Sequence, residues 1–169
     1  MSGNNEGAAE AIPADGIHVV RTAVRDEWLD YNDHMNVAFY LKAFDDAGDR
    51  LTELAGMGAA YTRATGNSWV ALESHITFQA EALAGETLEI HSRVLDVDQK
   101  KLHVFQQMFR DGELLATHEQ LGLHFDTRAR RSCPFEAPVL EVLCAMRDAQ
   151  QSTERPSEVG RRIAIRRKD

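Results

Sequence analysis

Cysteine is scarce in this chain, proline nearly so, and no apolar run approaches the length that crosses a bilayer. The two thiols, Cys133 and Cys144, have no metal-type spacing and are too few for a disulfide framework, so free cysteines in a reducing compartment are expected. There is no Gly-rich phosphate loop, no GxSxG elbow and no HExxH pair. Those gaps leave phosphate-loop, serine-hydrolase and metal chemistry without support, and no cofactor is expected. The opening MSGNNEGAAEAIPADG has neither a positive start nor an apolar core, so it does not read as a signal peptide. A cytoplasmic protein without membrane attachment is expected.

Positive charge is also in short supply: 19 Lys and Arg face 27 Asp and Glu, a net −8. That disfavours a nucleic-acid surface, which gathers basic groups on one face. The basic residues that exist crowd the C-terminus, at Arg155, Arg161, Arg162, Arg166, Arg167 and Lys168. Such a run is either a solvated tail or a grip on substrate phosphates or a neighbouring subunit.

What the chain does have is a clear change of period. IHVVRTAVR, from Ile17 to Arg25, is β-branched and reads as a first strand. Val37, Tyr40, Leu41, Phe44, Ala47, Leu51 and Leu54 then recur at three- and four-residue steps, the buried stripe of one long helix. Gly48 beside it costs about 1 kcal/mol in helix propensity, which suggests another backbone packed close. Gly56 and Gly58 stop the helix, and Ala59 to Ala64 add a short further turn.

After Gly66 the pattern alternates. In SWVALESHITFQA, Val70, Leu72, Ile76 and Phe78 share one face, and Trp69, Glu73 and His75 the other. A turn at Gly85 and a tight hairpin at Asp111-Gly112 connect the later strands. Gln106, Gln107, Glu119 and Gln120 interrupt the last pair and should face water or a partner. Val139 to Ala149 reads as a closing helix.

Residues 1–15 are therefore a flexible lead-in, 16–150 one domain and 151–169 a basic tail. A long helix against a curved antiparallel meander of about five strands is a two-layer α+β arrangement. Its second sheet face needs cover, so a homo-oligomer is expected.

One stretch exceeds structural need. EWLDYNDHMNVAFYL crowds Asp30, Asn32, Asp33 and His34 just before the long helix, where one capping side chain suffices. Asn36 is the natural cap and Asp30 a natural turn residue. Asn32, Asp33 and His34 remain as surplus.

This motif, with the order of elements from about Ile17 to Phe135, resembles the hotdog-fold acyl-CoA thioesterases. DYNDHMN is similar to the D-x-N-x-H-x-N signature of acyl-ACP thioesterases, and to the 4-hydroxybenzoyl-CoA thioesterase loop with its catalytic aspartate at Asp33. Four segments also resemble the betainyl-CoA thioesterases of carnitine breakdown: WLDYNDHMNVAFYLKAFDDAGD, LESHITFQAEALAGE, KLHVFQQM and VGRRIAI. The resemblance implies a single hotdog domain with its site between the subunits of a homodimer or tetramer. It implies hydrolysis of a short acyl-CoA, betainyl-CoA first, with coenzyme A arriving as part of the substrate.

Thioester hydrolysis needs a nucleophile and a place for the oxyanion. The N–H groups near Met35 to Val37, at the helix N-terminus, suit the second. Asp33 is the expected general base or nucleophile, with Asn32 and His34 orienting carbonyl and water. Glu73, on the strand after the helix, resembles the acidic residue of acyl-ACP thioesterases, although strand parity turns it from the apolar face. Asn36 is a further substrate-contact candidate. A quaternary ammonium acyl group would want aromatic faces, for which Trp28, Tyr31, Phe39 and Trp69 are the candidates. Two other readings stand beside this one. A hotdog acyl-CoA hydratase is the first, and a non-catalytic acyl-CoA-binding hotdog protein is the second.

Overall fold

A computed structural model describes residues 12–150 and 153–165. Most of the N-terminal lead-in, and Arg166, Arg167 and Lys168 of the basic run, lie outside the described residues. Five long strands make one antiparallel sheet: β1 (His18–Ala23), β2 (Asn67–Phe78), β3 (Thr87–Val97), β4 (Lys101–Arg110) and β5 (Glu113–Asp126). A two-residue β6 (Arg131–Ser132) pairs with β5. The helices are α1 (Val37–Leu54), α2 (Ala59–Thr65) and α3 (Ala137–Ala149). This is the α+β hotdog arrangement, a long helix cradled by a curled sheet.

The strand order is β1-β3-β4-β5-β2, which corrects the expected meander. β3, β4 and β5 do turn back on one another, and Asp111 and Gly112 both take positive φ at the β4–β5 hairpin. β2, however, pairs with β5 instead of β3 and forms the far edge. The β2–β3 connection therefore crosses the layer, and on its way Ala82 O accepts Met35 N–H at 2.8 Å. That crossing ties the sheet to the start of α1.

α1 begins where Asn36 Oδ1 accepts Ala38 N–H at 3.0 Å. Tyr40, Phe44, Ala47 and Leu51 are buried as the stripe predicts, whereas Val37 and Leu41 stay 64% and 45% exposed. One flank of the stripe thus lacks cover within the chain. The expectation for Gly48 also needs correcting: a methyl there would meet its nearest neighbours at 3.9 Å or beyond, so nothing packs tightly on it. Trp28, Tyr40, Phe44, Ile90 and Met108 build the core at the helix start. Leu51, Val94, Leu102, Leu143 and Met146 build a second cluster under α3.

A bulge in β2 decides which side chains face the helix. Ala71 pairs with Gly122 but Glu73 with Leu121, so Leu72 is the extra residue. Beyond it Ser74, Ile76 and Phe78 lie opposite Gln120, His118 and Ala116, on the side where His118 packs against Phe44. Before it Trp69 lies opposite His124, on that same side. Trp69 and Glu73 therefore face opposite ways, not together as alternation suggested. The indole takes the space over Gly122, where a Cβ would fall 1.8 Å from its nitrogen.

The outer sheet face is partly covered by the chain's own end. Arg93 Nη1 donates to Glu154 O at 3.2 Å, and Gly160 N–H donates to Glu119 Oε2 at 2.7 Å. Among the described residues, no helix is long and apolar enough to cross a membrane.

Candidate active site

The crowded stretch folds into a small hairpin. Leu29 and Met35 bridge its base, and Asp30 N–H donates to His34 O at 2.8 Å. Between them Asp33 N–H donates to Asp30 O at 3.1 Å, leaving Tyr31, Asn32 and Asp33 as a three-residue tip. Asp33 has φ 61°, the left-handed position that such loops usually give to Gly, Asn or Asp. Its side chain is exposed, and Tyr31 is 94% exposed.

Asp30 is held differently. It is half-buried, and its Oδ1 accepts Asn32 N–H at 2.8 Å. His34 bridges to Leu83 of the crossing connection, with Nε2 3.5 Å from a Glu81 carboxylate oxygen. The loop thus brings Asp30, Asn32, Asp33 and His34 to one end of α1.

Of the backbone donors expected for an oxyanion, two are already engaged. Met35 N–H goes to Ala82 O at 2.8 Å and Asn36 N–H to Trp28 O at 2.9 Å. Val37 remains, at the first helical position, where an amide has no intrahelical acceptor. Asn36 itself serves as the cap.

The aromatic candidates separate. Trp28 is a core residue at 5% exposure, stacked on Phe39 at 5.6 Å with the Arg25 guanidinium 5.2 Å from its ring centroid. Trp69 lies along the far half of α1, lining a cavity of about 210 Å³ with Asp49, Thr52 and Met57. Some twelve helical residues, roughly 18 Å at about 1.5 Å per residue, separate that level from the Asp30–His34 hairpin. Within one chain, Trp69 and Asp33 do not meet.

Glu73 does not meet Asp33 either. It is exposed on the outer sheet face, beside a cavity of about 430 Å³ lined also by His75, His103, Glu119, Arg161 and Arg162. The bulge that could have re-aimed it moved Trp69 instead. No cluster of His, Cys, Asp and Glu among the described residues could hold a metal ion.

The sequence reading missed a buried polar chain. Gln106, expected to face water, is 1% exposed, as is His118. Ser74 Oγ lies 2.6 Å from His118 Nε2, and His118 Nδ1 lies 2.8 Å from Gln106 Oε1. Burial pushes the imidazole down to about 4, so it is neutral near pH 7. The available signal was parity: His118 and Gln106 both fall on the helix-facing phase of their strands. A second cluster joins Tyr61 Oη to His124 Nε2 at 2.9 Å, with the Cys133 thiol 3.3 Å from Nδ1. Burial pushes that thiol up, away from a reactive thiolate.

Comparison with known proteins extends the geometry. The family described as the thioesterase-like superfamily matches residues 24–143. A betainyl-CoA thioesterase from Pseudomonas aeruginosa is 36% identical over 146 residues, covering 85% of this chain and 92% of that protein. An L-carnitine dehydrogenase/betainyl-CoA thioesterase from Rhizobium meliloti is 33% identical over 162 residues. The match takes in 94% of this chain but only 32% of that longer protein. Among solved structures, a hypothetical protein from Staphylococcus aureus in complex with CoA matches with a TM-score of 0.84. It is 25% identical, over 89% of this chain and 96% of that one.

Proposed function

Since the chain belongs to the thioesterase-like superfamily, and is thereby an acyl-CoA thioester hydrolase, we propose that its substrate is betainyl-CoA, released as betaine and free CoA. The substrate assignment is supported by the Pseudomonas aeruginosa relative, which this chain matches over nearly its whole length. The observation that carries the mechanism is the Asp30–His34 hairpin, closed against the start of α1 with Val37 N–H left over.

In this reading a carboxylate of the hairpin draws a proton from water, and the water oxygen attacks the thioester carbonyl. The oxyanion points to Val37 N–H and the positive end of α1. As it collapses the C–S bond breaks, and the carboxyl returns its proton to the departing sulfur so that CoA leaves as the thiol. Asn32 and His34 orient water and carbonyl. Asp33 is the base favoured by the sequence. One observation favours Asp30 instead: it is half-buried and anchored by Asn32 N–H, whereas Asp33 projects into solvent.

The site is completed by a second copy of the chain. Val37 and Leu41 on α1, with Leu72 and Phe78 on edge strand β2, leave apolar surface uncovered. Such a partner could bring Glu73 or Trp69 to the hairpin, which one chain does not do. The reaction belongs in the cytoplasm, where acyl-CoA is made and used.

Purified protein offered betainyl-CoA, a fatty acyl-CoA, an aromatic acyl-CoA and crotonyl-CoA tests the reading, with free thiol and enoyl absorbance followed together. Thiol release should be fastest from betainyl-CoA. No release from any thioester would end the hydrolase reading, and loss of enoyl absorbance would point to a hydratase.

A further inference from the structure

The Ser74–His118–Gln106 chain has a direction, and the direction can be read from its inner end. Gln106 Nε2 lies 2.9 Å from Phe44 O and 3.0 Å from Ser92 Oγ. A backbone carbonyl only accepts, so that end of the amide is the NH₂ and Oε1 is the end that faces His118. His118 Nδ1 must then carry the proton that Oε1 accepts. A neutral ring protonated at Nδ1 has a lone pair at Nε2, and Ser74 must donate to it.

The consequence lies at the surface. Ser74 is exposed on β2, on the helix-facing side, with its single proton committed inward. Towards solvent it presents lone pairs only. Three buried polar side chains, Ser92, Gln106 and His118, are spent on fixing the sense of one exposed hydroxyl. A buried network of this kind costs desolvation unless every member is satisfied, and here each has a partner. A neutral amide replaces the carboxylate that would stabilise an imidazolium, so His118 is built to stay neutral and not to deprotonate Ser74.

We propose that Ser74 accepts a hydrogen bond from an amide N–H of the pantetheine arm of the substrate, running between α1 and β2. This rests on the acyl-CoA hydrolase reading. The dimensions fit it. Phe44, which packs on His118, lies roughly 12 Å along α1 from Asn36 at about 1.5 Å per residue. The distal amide nitrogen of a pantetheine arm stands seven bonds from sulfur, roughly 9 Å when extended. A thioester at the Val37 N–H therefore brings that amide to the level of Ser74. Between these levels the wall is apolar: Val37, Leu41, Ile76 and Phe78 offer no competing acceptor side chain.

The test compares one acyl group carried on pantetheine with the same group on N-acetylcysteamine, which lacks the distal amide. In the wild-type protein kcat/KM should be higher on the longer arm. Ser74→Ala should shrink that advantage about fivefold, chiefly through KM, while Ser74→Thr, which keeps the oxygen, should restore it. Equal losses on both arms, or an unchanged ratio, would overturn the proposal. Nitrogen-15 spectra of His118 supply a second readout near pH 7: Nδ1 should be the protonated nitrogen, and the opposite tautomer would overturn the argument. If the wild-type protein hydrolysed neither thioester, the proposed function would fall. Calorimetry with CoA would still decide the inference: weaker binding by Ser74→Ala but not Ser74→Thr supports it, and equal affinities refute it.

Discussion

Asp30 and Asp33 share one hairpin under opposite constraints: the first has its carboxylate tied to Asn32 N–H at 2.8 Å, and the second holds a φ of 61° with its carboxylate in water. Glycine suits that backbone better than aspartate, so Asp33→Gly removes the carboxylate without straining the loop. If Asp33 is the base, this variant loses on the order of 10²–10⁴ in kcat. The anchoring of Asp30 leads us to expect that loss in Asp30→Asn, with Asp33→Gly falling by less than about tenfold. Steady-state kinetics on both variants, with circular dichroism to confirm folding, decides between them.

Stability should fall on acidification because of His118. Burial holds its folded pKa down to about 4, below the ordinary value of 6.5. The unfolded chain therefore binds the proton first as pH drops, and protonation favours unfolding. The contribution is fully present above about pH 6.5 and is lost between there and about pH 4, to a total of about 3 kcal/mol. Urea unfolding across that range should show the slope, and His118→Gln should flatten it.

Gly122→Ala should be costly because of its nearest neighbour, Trp69. The added methyl would fall 1.8 Å from the Trp69 indole nitrogen, so the ring must leave its place. Overpacking of this kind costs about 1–3 kcal/mol. Chemical denaturation with Trp fluorescence reports both the loss and the displaced indole. The double variant Gly122→Ala/Trp69→Leu should recover part of the stability.

The C-terminal segment hangs on Glu119, whose two oxygens take His103 Nε2 at 2.8 Å and Gly160 N–H at 2.7 Å. Glu119→Ala should release it. Tryptic cleavage after Arg161 and Arg162 should then speed up on the order of tenfold, with the core resisting as before. Mass spectrometry of a digestion time course would show it, and unchanged rates would mean that other contacts hold the segment.

The architecture was legible because its signals are local. Asn36 caps a helix of helical period, Asp111-Gly112 makes a tight turn, and Gly56 takes φ 80° just past the helix end. What stayed hidden depends on distant partners. Nothing near β2 says that it will pair with β5, and a single bulge at Leu72 undoes the alternation that linked Trp69 to Glu73. The Asp30–His34 hairpin stood out as excess polarity at a helix start. Its division of labour did not, because Asn32 N–H chooses Asp30 only once the loop is closed. Gln106 looked like a surface residue for the same reason: its satisfaction comes from Phe44, Ser92 and His118, on other elements of the fold.

The placing of β2 at the far edge also sets a schedule for the growing chain. Ser74 meets His118 forty-four residues downstream, so β2 leaves the ribosome long before β5 exists to receive it. Until then an extended, partly apolar strand has no lawful neighbour, while the β3–β4 and β4–β5 hairpins can close as soon as each is made. The last step of assembly is thus the docking of an early segment onto a late one. Slowed translation between Phe78 and Glu113 would lengthen the interval in which that strand is open to chaperones or to another nascent chain.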